Sequence, residues 1–301
     1  MEPFHASLAI ERIWRKTVSE QKVMVITGSS SGIGLLTAIE FTQNGYRVVA
    51  TMRDLGRSSP LEEAAQKAGV RARLDLRRLD VTEFDSIGRV VDAIARDHGR
   101  IDVLVNNAGF SVAGFGEDLS LDDIRHQFET NFFGNVAMSK AVLPVMRRQK
   151  SGHIIQVASV GGRLGHPLLG AYCSSKFALE GFSESLRIET HSLGIRVVLV
   201  EPGAYDTDIW TRNVTVAAGA LDPNSPNKDR SQRFTEFVKQ SAKHRRDASE
   251  VARLILRIAK DPNPKLRYLI GTDAKMQVWL KRLMPWRRYE RMVAKFVKID
   301  E

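Results

Sequence analysis

The chain of 301 residues alternates short apolar runs, rich in β-branched residues, with longer segments of helical periodicity. Strands that alternate with helices predict a parallel sheet covered by helices on both faces. We therefore predict an α/β fold, a single doubly wound domain over residues 20–272 with a seven-stranded parallel sheet. The predicted strands are Lys22–Thr27, Arg47–Thr51, Arg73–Asp80, Ile101–Asn106, His153–Ala158, Arg196–Glu201 and Leu266–Ile270.

Segments with the helical period separate these strands. They are Ile33–Gln43, Leu61–Ala68, Glu83–His98, Leu121–Arg148, Tyr172–Leu193 and Ser249–Lys260. Asp247 or Ser249 is the expected cap of the last helix. The irregular stretch Ala204–Arg230 is longer than an ordinary connection, which is typical of a lid or of a disordered segment, and residues 204–245 are interpreted as a substrate lid. Residues 1–19 are interpreted as an N-terminal extension and residues 273–301 as a basic amphipathic C-terminal segment.

The first predicted strand runs through a glycine-rich turn, TGSSSGIG at residues 27–34, into a helix. Glycines let the backbone turn sharply and approach a pyrophosphate, and a helix N-terminus offers unpaired N–H groups and a partial positive charge. The turn therefore predicts a dinucleotide site, although its spacing differs from G-x-G-x-x-G and an ordinary strand-to-helix turn remains open. The predicted contacts are Gly28, Ser30, Ser31, Gly32, Ile33 and Gly34.

The end of the second predicted strand bears on which dinucleotide binds. Arg53 lies about twenty residues past the glycines, where an acid would bind the ribose hydroxyl of NAD and an Arg would accommodate the phosphate of NADP. Asp54 follows at once, and an Arg53 that pairs with Asp54 or Glu63 is the alternative. We expect NADP(H) to be preferred, with NAD(H) left open.

Composition narrows the function classes. The formal charge of +10 suits an anionic partner, although a solvated basic surface is an equal alternative. Cys173 is the only cysteine and the histidines show no ligand-like pair, so we expect neither a disulfide nor a metal site. Without an apolar run of membrane-span length or a signal-peptide core, the protein is predicted to be soluble and cytoplasmic. The basic residues accompany no base-reading motif, so nucleic acid is not an expected partner.

Tyr172 and Lys176 lie four residues apart at the start of a predicted helix and so share one face. An ordinary helix often carries such a pair, and other motifs must decide its meaning. They are TGSSSGIG at 27–34, LDVT at 79–82, NNAG at 106–109, Asn131 in TNFFGN, Ser159 in VASVGG, and PG at 202–203. With these motifs in order, the chain resembles the short-chain dehydrogenase/reductase family, and its wording is closest to the branch of hydroxysteroid and retinol dehydrogenases. The resemblance implies a Rossmann fold.

The resemblance implies a catalytic group of Asn131, Ser159, Tyr172 and Lys176. Tyr172 would exchange a proton with the substrate oxygen, Ser159 would hold that oxygen, and Asn131 would help to position Lys176. A free phenol, with a pKa of about 10, is a poor base near neutrality. A positive charge about 4 Å away is worth up to ~4 kcal/mol at an effective dielectric of ~20, so we expect Lys176 to lower the pKa of Tyr172 towards neutral pH.

Further residues are expected against the cofactor and the substrate. By resemblance, Asp80 and Val81 would border the adenine, Asn107, Ala108 and Gly109 would pass beneath the cofactor with Tyr172 and Lys176 nearby, and Pro202 and Gly203 would face the nicotinamide. The predicted substrate residues are Ser159, Leu164, His166, Tyr205 and Trp210, with Phe110, Val112, Leu168, Phe234 and Phe237 as apolar neighbours.

These mostly apolar residues suit a bulky lipophilic alcohol or ketone. The expected function is therefore NADP(H)-dependent interconversion of a lipophilic secondary alcohol with a ketone or aldehyde, by a homodimer or homotetramer. One alternative is reduction of a 3-oxoacyl group on an acidic carrier protein. A second is a non-catalytic regulator that senses the cofactor, although such a protein would be expected to lack Tyr172 or Lys176.

The C-terminal segment reads as two amphipathic pieces broken at Pro285. Met276, Trp279, Leu280 and Leu283 share one face, Tyr289, Met292, Val293 and Phe296 share the next, and eight Lys or Arg line the other side. A basic amphipathic segment with Trp is typical of a membrane surface. Packing against its own domain or a partner subunit is the alternative, so peripheral membrane contact stays an open expectation.

Overall fold

The computed structural model describes residues 21–241, 243, 245–297 and 299; the predicted extension, residues 1–19, lies outside them. The strands are β1 (Val23–Thr27), β2 (Arg47–Met52), β3 (Leu74–Arg78), β4 (Val103–Asn106), β5 (Ser111–Ala113), β6 (Gly152–Val157), β7 (Ile195–Pro202), β8 (Val214–Val216) and β9 (Arg267–Ile270). Seven of them form one parallel sheet in the order β3-β2-β1-β4-β6-β7-β9. β5 and β8 pair in parallel as a separate two-stranded sheet.

The central strands are buried on both faces, which explains why they read as continuous apolar runs rather than as an alternation. Every residue of β1 and of β4 is buried. The strand order reverses at β1, whose neighbours are β2 and β4. A crevice opens where the order of an open sheet reverses, outside the carboxyl ends of its strands, and ligands bind there.

Helices cover both faces of the sheet and divide the apolar core in two. They are α1 (Gly32–Gln43), α2 (Ser59–Lys67), α3 (Phe84–His98), α4 (Leu121–Phe128), α5 (Asn135–Gln149), α6 (Gly170–Thr190), α7 (Ala218–Leu221), α8 (Lys228–Ser241), α9 (Ser249–Lys260), α10 (Thr272–Leu283) and α11 (Trp286–Phe296). On one face Phe41 of α1 and Ile255 of α9 belong to one core cluster. On the other, Ile94 of α3 and Met138 of α5 belong to a second.

The predicted strands of the main sheet are all present, each within two residues of its predicted ends. The single helix predicted over Leu121–Arg148 is wrong in its middle, because a π-helical turn at Glu129–Gly134 separates α4 from α5. The stretch Ala204–Arg230 was predicted to be irregular, yet it contains β8, α7 and the start of α8.

Two local details complete the comparison. Asp247, one of the two expected caps of α9, accepts a hydrogen bond from the backbone N–H of Ser249 at 2.9 Å, while Ala248 occupies the N-cap position itself. The C-terminal segment forms two helices, α10 and α11, that are broken at Pro285 as expected. Among the described residues, no helix is both long enough and apolar enough to span a bilayer.

The two-sided core generates a stability prediction with a matched control. Ile255 is 0% exposed between α9 and the sheet, whereas Ile188, on helix α6, is 78% exposed. We expect Ile255→Ala to lower the free energy of unfolding by about 2–5 kcal/mol, through lost burial and the cavity left behind. Ile188→Ala should change it by less than about 0.5 kcal/mol. Urea unfolding followed by circular dichroism measures both, and equal losses in the two variants would contradict this account of the core.

Candidate active site

A cleft of about 1250 Å³ opens at the carboxyl ends of the central strands. Most of the predicted site residues line it: Gly28, Ser30, Ser31, Gly32, Ile33, Arg53, Asp80, Val81, Asn107, Ala108, Gly109, Ser159, His166, Tyr172, Lys176, Pro202, Gly203, Tyr205 and Trp210. Phe110, Leu168 and Phe234 line it as well, while the side chain of Phe237 lies outside the described structure. The fold thus gathers residues from widely separated motifs at one cleft.

Four predicted residues do not line this cleft. The side chain of Leu164 is fully buried in a small apolar cluster with Val160 and Ala274, so it lies behind the wall rather than on it. Val112 is buried within β5. Gly34 and Asn131 also lie behind the lining, and both act there through close contacts with the residues that form it.

The glycine-rich turn is held against β4 by close backbone contacts. Gly28 has a φ of +66°, and a Cβ there would lie 2.9 Å from the Cα of Ala108. A Cβ on Gly34 would lie 2.2 Å from the carbonyl oxygen of Gly28. Neither position accepts a side chain unless the backbone moves. The packing of the turn therefore requires both glycines, whether or not a ligand is bound.

Asn107 fastens this turn to the neighbouring strand. Its side-chain amide donates to the carbonyl oxygens of Thr27 and Gly28 at 3.0 and 2.9 Å. In return, the hydroxyl oxygen of Thr27 accepts the backbone N–H groups of Asn107 and Ala108, both at 3.0 Å. The segment Asn107 to Gly109 therefore forms the floor of the cleft beside the turn.

The geometry of the turn fits a pyrophosphate. Helix α1 begins at Gly32, and the side chain of its N-cap, Ser31, does not cap the first turn, which also contains no acidic residue. Ser31, Gly32 and Ile33 face the cleft. A helix N-terminus that faces a cleft and has no acidic residue in its own first turn favours an anion, although the carboxylate of Asp208 from the loop after β7 lies within hydrogen-bond reach of Ser31.

The predicted cofactor-selecting position has a clear arrangement. Arg53 and Arg57 both line the cleft, next to the glycine-rich turn. The carboxylate of Asp54 instead accepts the backbone N–H of Gly56 at 2.9 Å and so caps the short turn Leu55–Arg57. Among the described residues no ion pair joins Arg53 to Asp54 or Glu63, so the pairing left open by the sequence is not formed in this structure.

Tyr172 and Lys176 lie on the first turns of α6 and are nearly buried, at 9% and 4% exposed. The Lys176 Nζ atom donates to the carbonyl oxygen of Val157 at 2.8 Å and lies 5.8 Å from the centre of the Tyr172 ring. Ser159 lies two residues after the end of β6, and its hydroxyl accepts the N–H of Gly161 at 3.0 Å. The three predicted groups therefore meet between the end of β6 and the start of α6.

The expected lowering of the Tyr172 pKa is wrong in this arrangement. Burial raises the pKa of Tyr172 to about 12, and a hydrogen bond with Ser159 only partly opposes it. Burial also lowers the pKa of Lys176 to about 8, against the charge of Glu180. The Lys176 ammonium is hydrogen-bonded to Val157, and at Tyr172 the loss of hydration outweighs the hydrogen bond with Ser159.

Asn131 lies in the π-helical turn between α4 and α5. Its side-chain oxygen accepts the backbone N–H of Phe110 at 3.1 Å, and its amide donates to the Phe110 carbonyl oxygen at 3.0 Å. A Cβ on Gly109 would lie 3.2 Å from the Asn131 side-chain oxygen. Asn131 thus fixes the strand exit that carries the cleft floor, and such π turns are frequent at functional sites.

Several lining residues were not expected from the sequence. Among them are Arg57, Thr207, Asp208, Asp273 and Gln277. Burial favours a higher pKa for Asp208, but hydrogen bonds from Arg212 and Ser31 hold that pKa below its usual value. The contact with Ser31 joins the loop after β7 to the glycine-rich turn. Asp273 of α10 accepts the backbone N–H of Ala204 at 2.8 Å. An acidic residue in the first turn of a helix is expected only to stabilise the helix N-terminus. No sequence signal therefore indicated the contact with Ala204.

A buried cluster of charges lies behind Lys176, and it too was missed. Glu180 follows Lys176 by one helical turn, and Arg267 donates to Glu180 at 2.9 Å while lying 3.3 Å from Glu201. Arg163 contacts Glu201 at 3.2 Å. Burial and the neighbouring charge of Glu201 raise the pKa of Glu180 to about 7, against the hydrogen bond from Arg267. Glu180 and Glu201 both depend on Arg267, so the pKa of one of the two carboxyl groups stays near 7.

Two further titratable groups, His166 on the cleft wall and Cys173 next to Tyr172 in sequence, are uncharged near neutral pH. Burial lowers the pKa of His166, so its imidazole is neutral at pH 7. Burial raises the pKa of the Cys173 thiol to about 11, which makes it an unreactive buried side chain. The described residues contain no group of three or more His, Cys, Asp or Glu placed to hold a metal ion.

The family model described as short chain dehydrogenase matches residues 22–216. Over 279 residues the chain is 39% identical to the uncharacterized oxidoreductase YusZ of Bacillus subtilis. That alignment covers 91% of this chain and 98% of YusZ. It is 36% identical over 272 residues to retinol dehydrogenase 8 of Bos taurus, covering 88% and 86%. It is also 36% identical over 251 residues to 17-beta-hydroxysteroid dehydrogenase type 1 of Mus musculus, covering 82% and 72%.

Solved structures agree with these relatives. The structure of ElxO with NADP bound superposes with a TM-score of 0.68 at 26% identity, over 83% of this chain and 96% of that one. A short-chain dehydrogenase/reductase from Burkholderia phymatum in complex with NAD gives a TM-score of 0.75 at 25% identity, over 87% and 93%. Neighbours of this fold therefore bind one or the other nicotinamide dinucleotide.

The raised pKa of Glu180 generates a prediction about stability and pH. A carboxyl whose pKa is about 7 when folded and near 4.3 when unfolded stabilises the fold below the unfolded value and loses that contribution as pH rises through 7. Relative to Glu180→Gln, the unmodified protein should therefore lose about 3 kcal/mol of its free energy of unfolding between pH 4.5 and 8. Urea unfolding of both proteins across this range measures the difference.

Glu184→Gln is the matched control for that measurement. Glu184 pairs with the same Arg267 but its side chain is about half exposed. Its substitution should leave the pH dependence of stability nearly unchanged. A pH dependence that is the same with and without the Glu180 carboxyl would overturn the account of the buried cluster.

Proposed function

Because the chain belongs to the short-chain dehydrogenase family and is an oxidoreductase of that family, we propose that it interconverts a lipophilic secondary alcohol and a ketone or aldehyde with NADP(H). The observation that carries the proposal is the meeting of Ser159, Tyr172 and Lys176 at one wall of a cleft whose other end is the glycine-rich turn. The proposed homodimer or homotetramer and the cytoplasmic location stay predictions.

The proposed chemistry divides between the cofactor and the chain. A bound nicotinamide supplies or accepts the hydride, and the glycine-rich turn with the floor from Asn107 to Gly109 would hold the dinucleotide. Ser159 would donate a hydrogen bond to the substrate oxygen. Tyr172 would give its proton to that oxygen or take one from it, and with a pKa of about 12 its phenol carries the proton at neutral pH, which suits donation to a carbonyl.

Lys176 would act through position rather than as a proton donor to the substrate. Its ammonium is fixed by the carbonyl oxygen of Val157, the last residue of β6, two residues before Ser159. From there its charge would stabilise negative charge that develops on Tyr172. Asn131 would serve as a positioning residue, because it holds the strand exit at Phe110 that supports the cleft floor.

Two observations support a lipophilic substrate. The cleft wall beyond Ser159 carries Phe110, Leu168, Tyr205, Trp210 and Phe234. Relatives over most of the chain are a retinol dehydrogenase and a hydroxysteroid dehydrogenase, and the names of both describe bulky lipophilic alcohols. A cleft with apolar walls and a small polar end orients such a molecule with its oxygen towards the polar end.

Two observations support NADP(H) over NAD(H). Arg53 and Arg57 line the cleft where the adenosine ribose would lie, and Asp54, the acid nearest in sequence, is occupied with the N–H of Gly56. Arginine recognises a phosphate by charge-assisted, often bidentate hydrogen bonds.

The first test of the function substitutes Tyr172. We expect Tyr172→Phe to keep its fold and its NADPH affinity and to lose about 10²–10⁴-fold in kcat, the usual share of general acid–base catalysis. Turnover is measured on a panel of lipophilic ketones and aldehydes that includes retinal and a 17-ketosteroid. Tyr46→Phe, a buried tyrosine outside the cleft, is the control and should keep its rate. A Tyr172→Phe variant with unchanged turnover would show that the proposed proton donor is wrong.

The second test addresses the cofactor. We expect the protein to bind NADPH more tightly than NADH, and Arg53→Ala to weaken NADPH about 10- to 100-fold while NADH changes little, because one charge-assisted contact is lost. Calorimetric titration of both dinucleotides measures this. Arg96→Ala, an exposed arginine on α3, should leave both affinities unchanged. Equal affinities in the unmodified protein would refute the role given to Arg53.

A further inference from the structure

Helix α10 packs on the domain by its smaller side and turns its larger apolar side chains outward. Ala274 is fully buried and Val278 packs in the cluster with Val160 and Leu164. On the opposite side, at spacings of three and four residues, Met276, Trp279 and Leu283 are more than half exposed, with Trp279 at 60%. Packing against the domain therefore accounts for one side of the helix only.

The exposed apolar side continues into α11. Trp286 is 63% exposed, and its ring lies 5.7 Å from that of Tyr289, whose own side chain is buried. Phe296, on the last turn of α11, is 69% exposed. Large apolar side chains exposed singly need no explanation, but five within two consecutive helices mark an interaction surface.

Basic residues surround this surface. Lys275 and Arg282 flank the apolar side of α10, and Arg287, Arg288 and Arg291 are exposed on α11. The segment from 272 to 297 holds seven Lys or Arg but only two acids, Asp273 and Glu290. One of those acids is engaged with the backbone of Ala204, so the outer surface is strongly positive.

We propose that α10 and α11 form a docking surface for an anionic lipid bilayer. Trp side chains occupy the boundary between lipid and water, and surrounding Lys or Arg are attracted to anionic headgroups. A second copy of the chain fits the surface less well. A two-fold contact would place this patch against itself, and the cations of two chains with a formal charge of +10 each would then face one another.

The docking surface adjoins the mouth of the cleft. Asp273 and Gln277, on the inner side of α10, line the cleft, and Met276 precedes Gln277 on the exposed side. If the proposed lipophilic substrate is correct, a molecule dissolved in the bilayer would reach the cleft along one helix. This last step rests on the proposed function, whereas the docking surface does not.

The test is sedimentation of the full chain with vesicles of phosphatidylcholine, with and without phosphatidylglycerol, at low and high salt. We expect binding to the anionic vesicles that weakens as salt shortens the Debye length. Trp279→Ser with Trp286→Ser should abolish it. Lys275→Gln with Arg282→Gln and Arg287→Gln should weaken it about 100-fold, at roughly fivefold for each cation. Neither set touches a residue of the proposed catalytic group.

Controls separate the surface from general stickiness. Ile188→Ser removes an exposed apolar side chain on α6, and Arg96→Gln removes an exposed cation on α3; both should leave vesicle binding unchanged. Circular dichroism and NADPH titration confirm that each variant is folded.

Two outcomes with the vesicles would refute the proposal: no sedimentation with anionic vesicles at low salt, or binding that survives the tryptophan substitutions. So would a concentration-dependent dimer that the tryptophan substitutions abolish, because a second copy would then cover the surface. If the unmodified protein binds the vesicles but turns over none of the tested ketones and aldehydes, the enzymatic proposal alone is contradicted.

Discussion

The close approach of the glycine-rich turn to the end of β4 is the constraint on which the rest of the site depends. Two backbone segments lie so near that Gly28 and Gly34 leave no room for a Cβ, and Asn107 joins them through the carbonyl oxygens of Thr27 and Gly28. Because β1 and β4 are neighbours at the point where strand order reverses, this contact places the N-terminus of α1 over the cleft. The phosphate-binding end and the floor are therefore one unit.

The other end of the site is built by burial. Tyr172 and Lys176 are removed from water at the start of α6, and burial disfavours the charged form of each. The fold compensates the ammonium with the carbonyl oxygen of Val157 and with the carboxylate cluster one turn further along the helix. That cluster is itself a compromise, since Arg267 serves both Glu180 and Glu201. At the polar end of the cleft, the carbonyl oxygen of Val157 and the carboxyl group of Glu180 compensate the burial of Lys176, and Arg267 in turn compensates the burial of Glu180.

Sequence reasoning succeeded where a pattern is local and failed where the third dimension decides. The strands of the sheet were predicted because each is a short buried run, whereas the grouping of Ser159, Tyr172 and Lys176 was expected only from the family resemblance, since the spacing of Tyr172 and Lys176 alone fits an ordinary helix. The π turn at Asn131 was missed because the helical period of the apolar residues does not reveal a single turn of different pitch, and the contact of Asn131 with Phe110, 21 residues away, leaves no local pattern. Leu164 was misplaced because periodicity cannot tell a cleft wall from the layer behind it. The pKa of Tyr172 was misjudged because spacing along a helix does not reveal where an ammonium points.

The contact between α10 and the loop after β7 limits which substitutions the chain can accept during evolution. A Cβ on Gly203 would lie 2.4 Å from a carboxylate oxygen of Asp273, and one on Gly271 would lie 2.5 Å from the other oxygen. Position 203 is therefore coupled to position 273. A larger residue at Gly203 becomes tolerable only after Asp273 is shortened, and shortening Asp273 removes the acceptor of the Ala204 N–H. At Gly271 a φ of +109° disfavours a side chain whatever residue stands at position 273. Second-site suppressors of damage at the loop are to be sought some seventy residues downstream, in a helix that looks dispensable in the linear sequence.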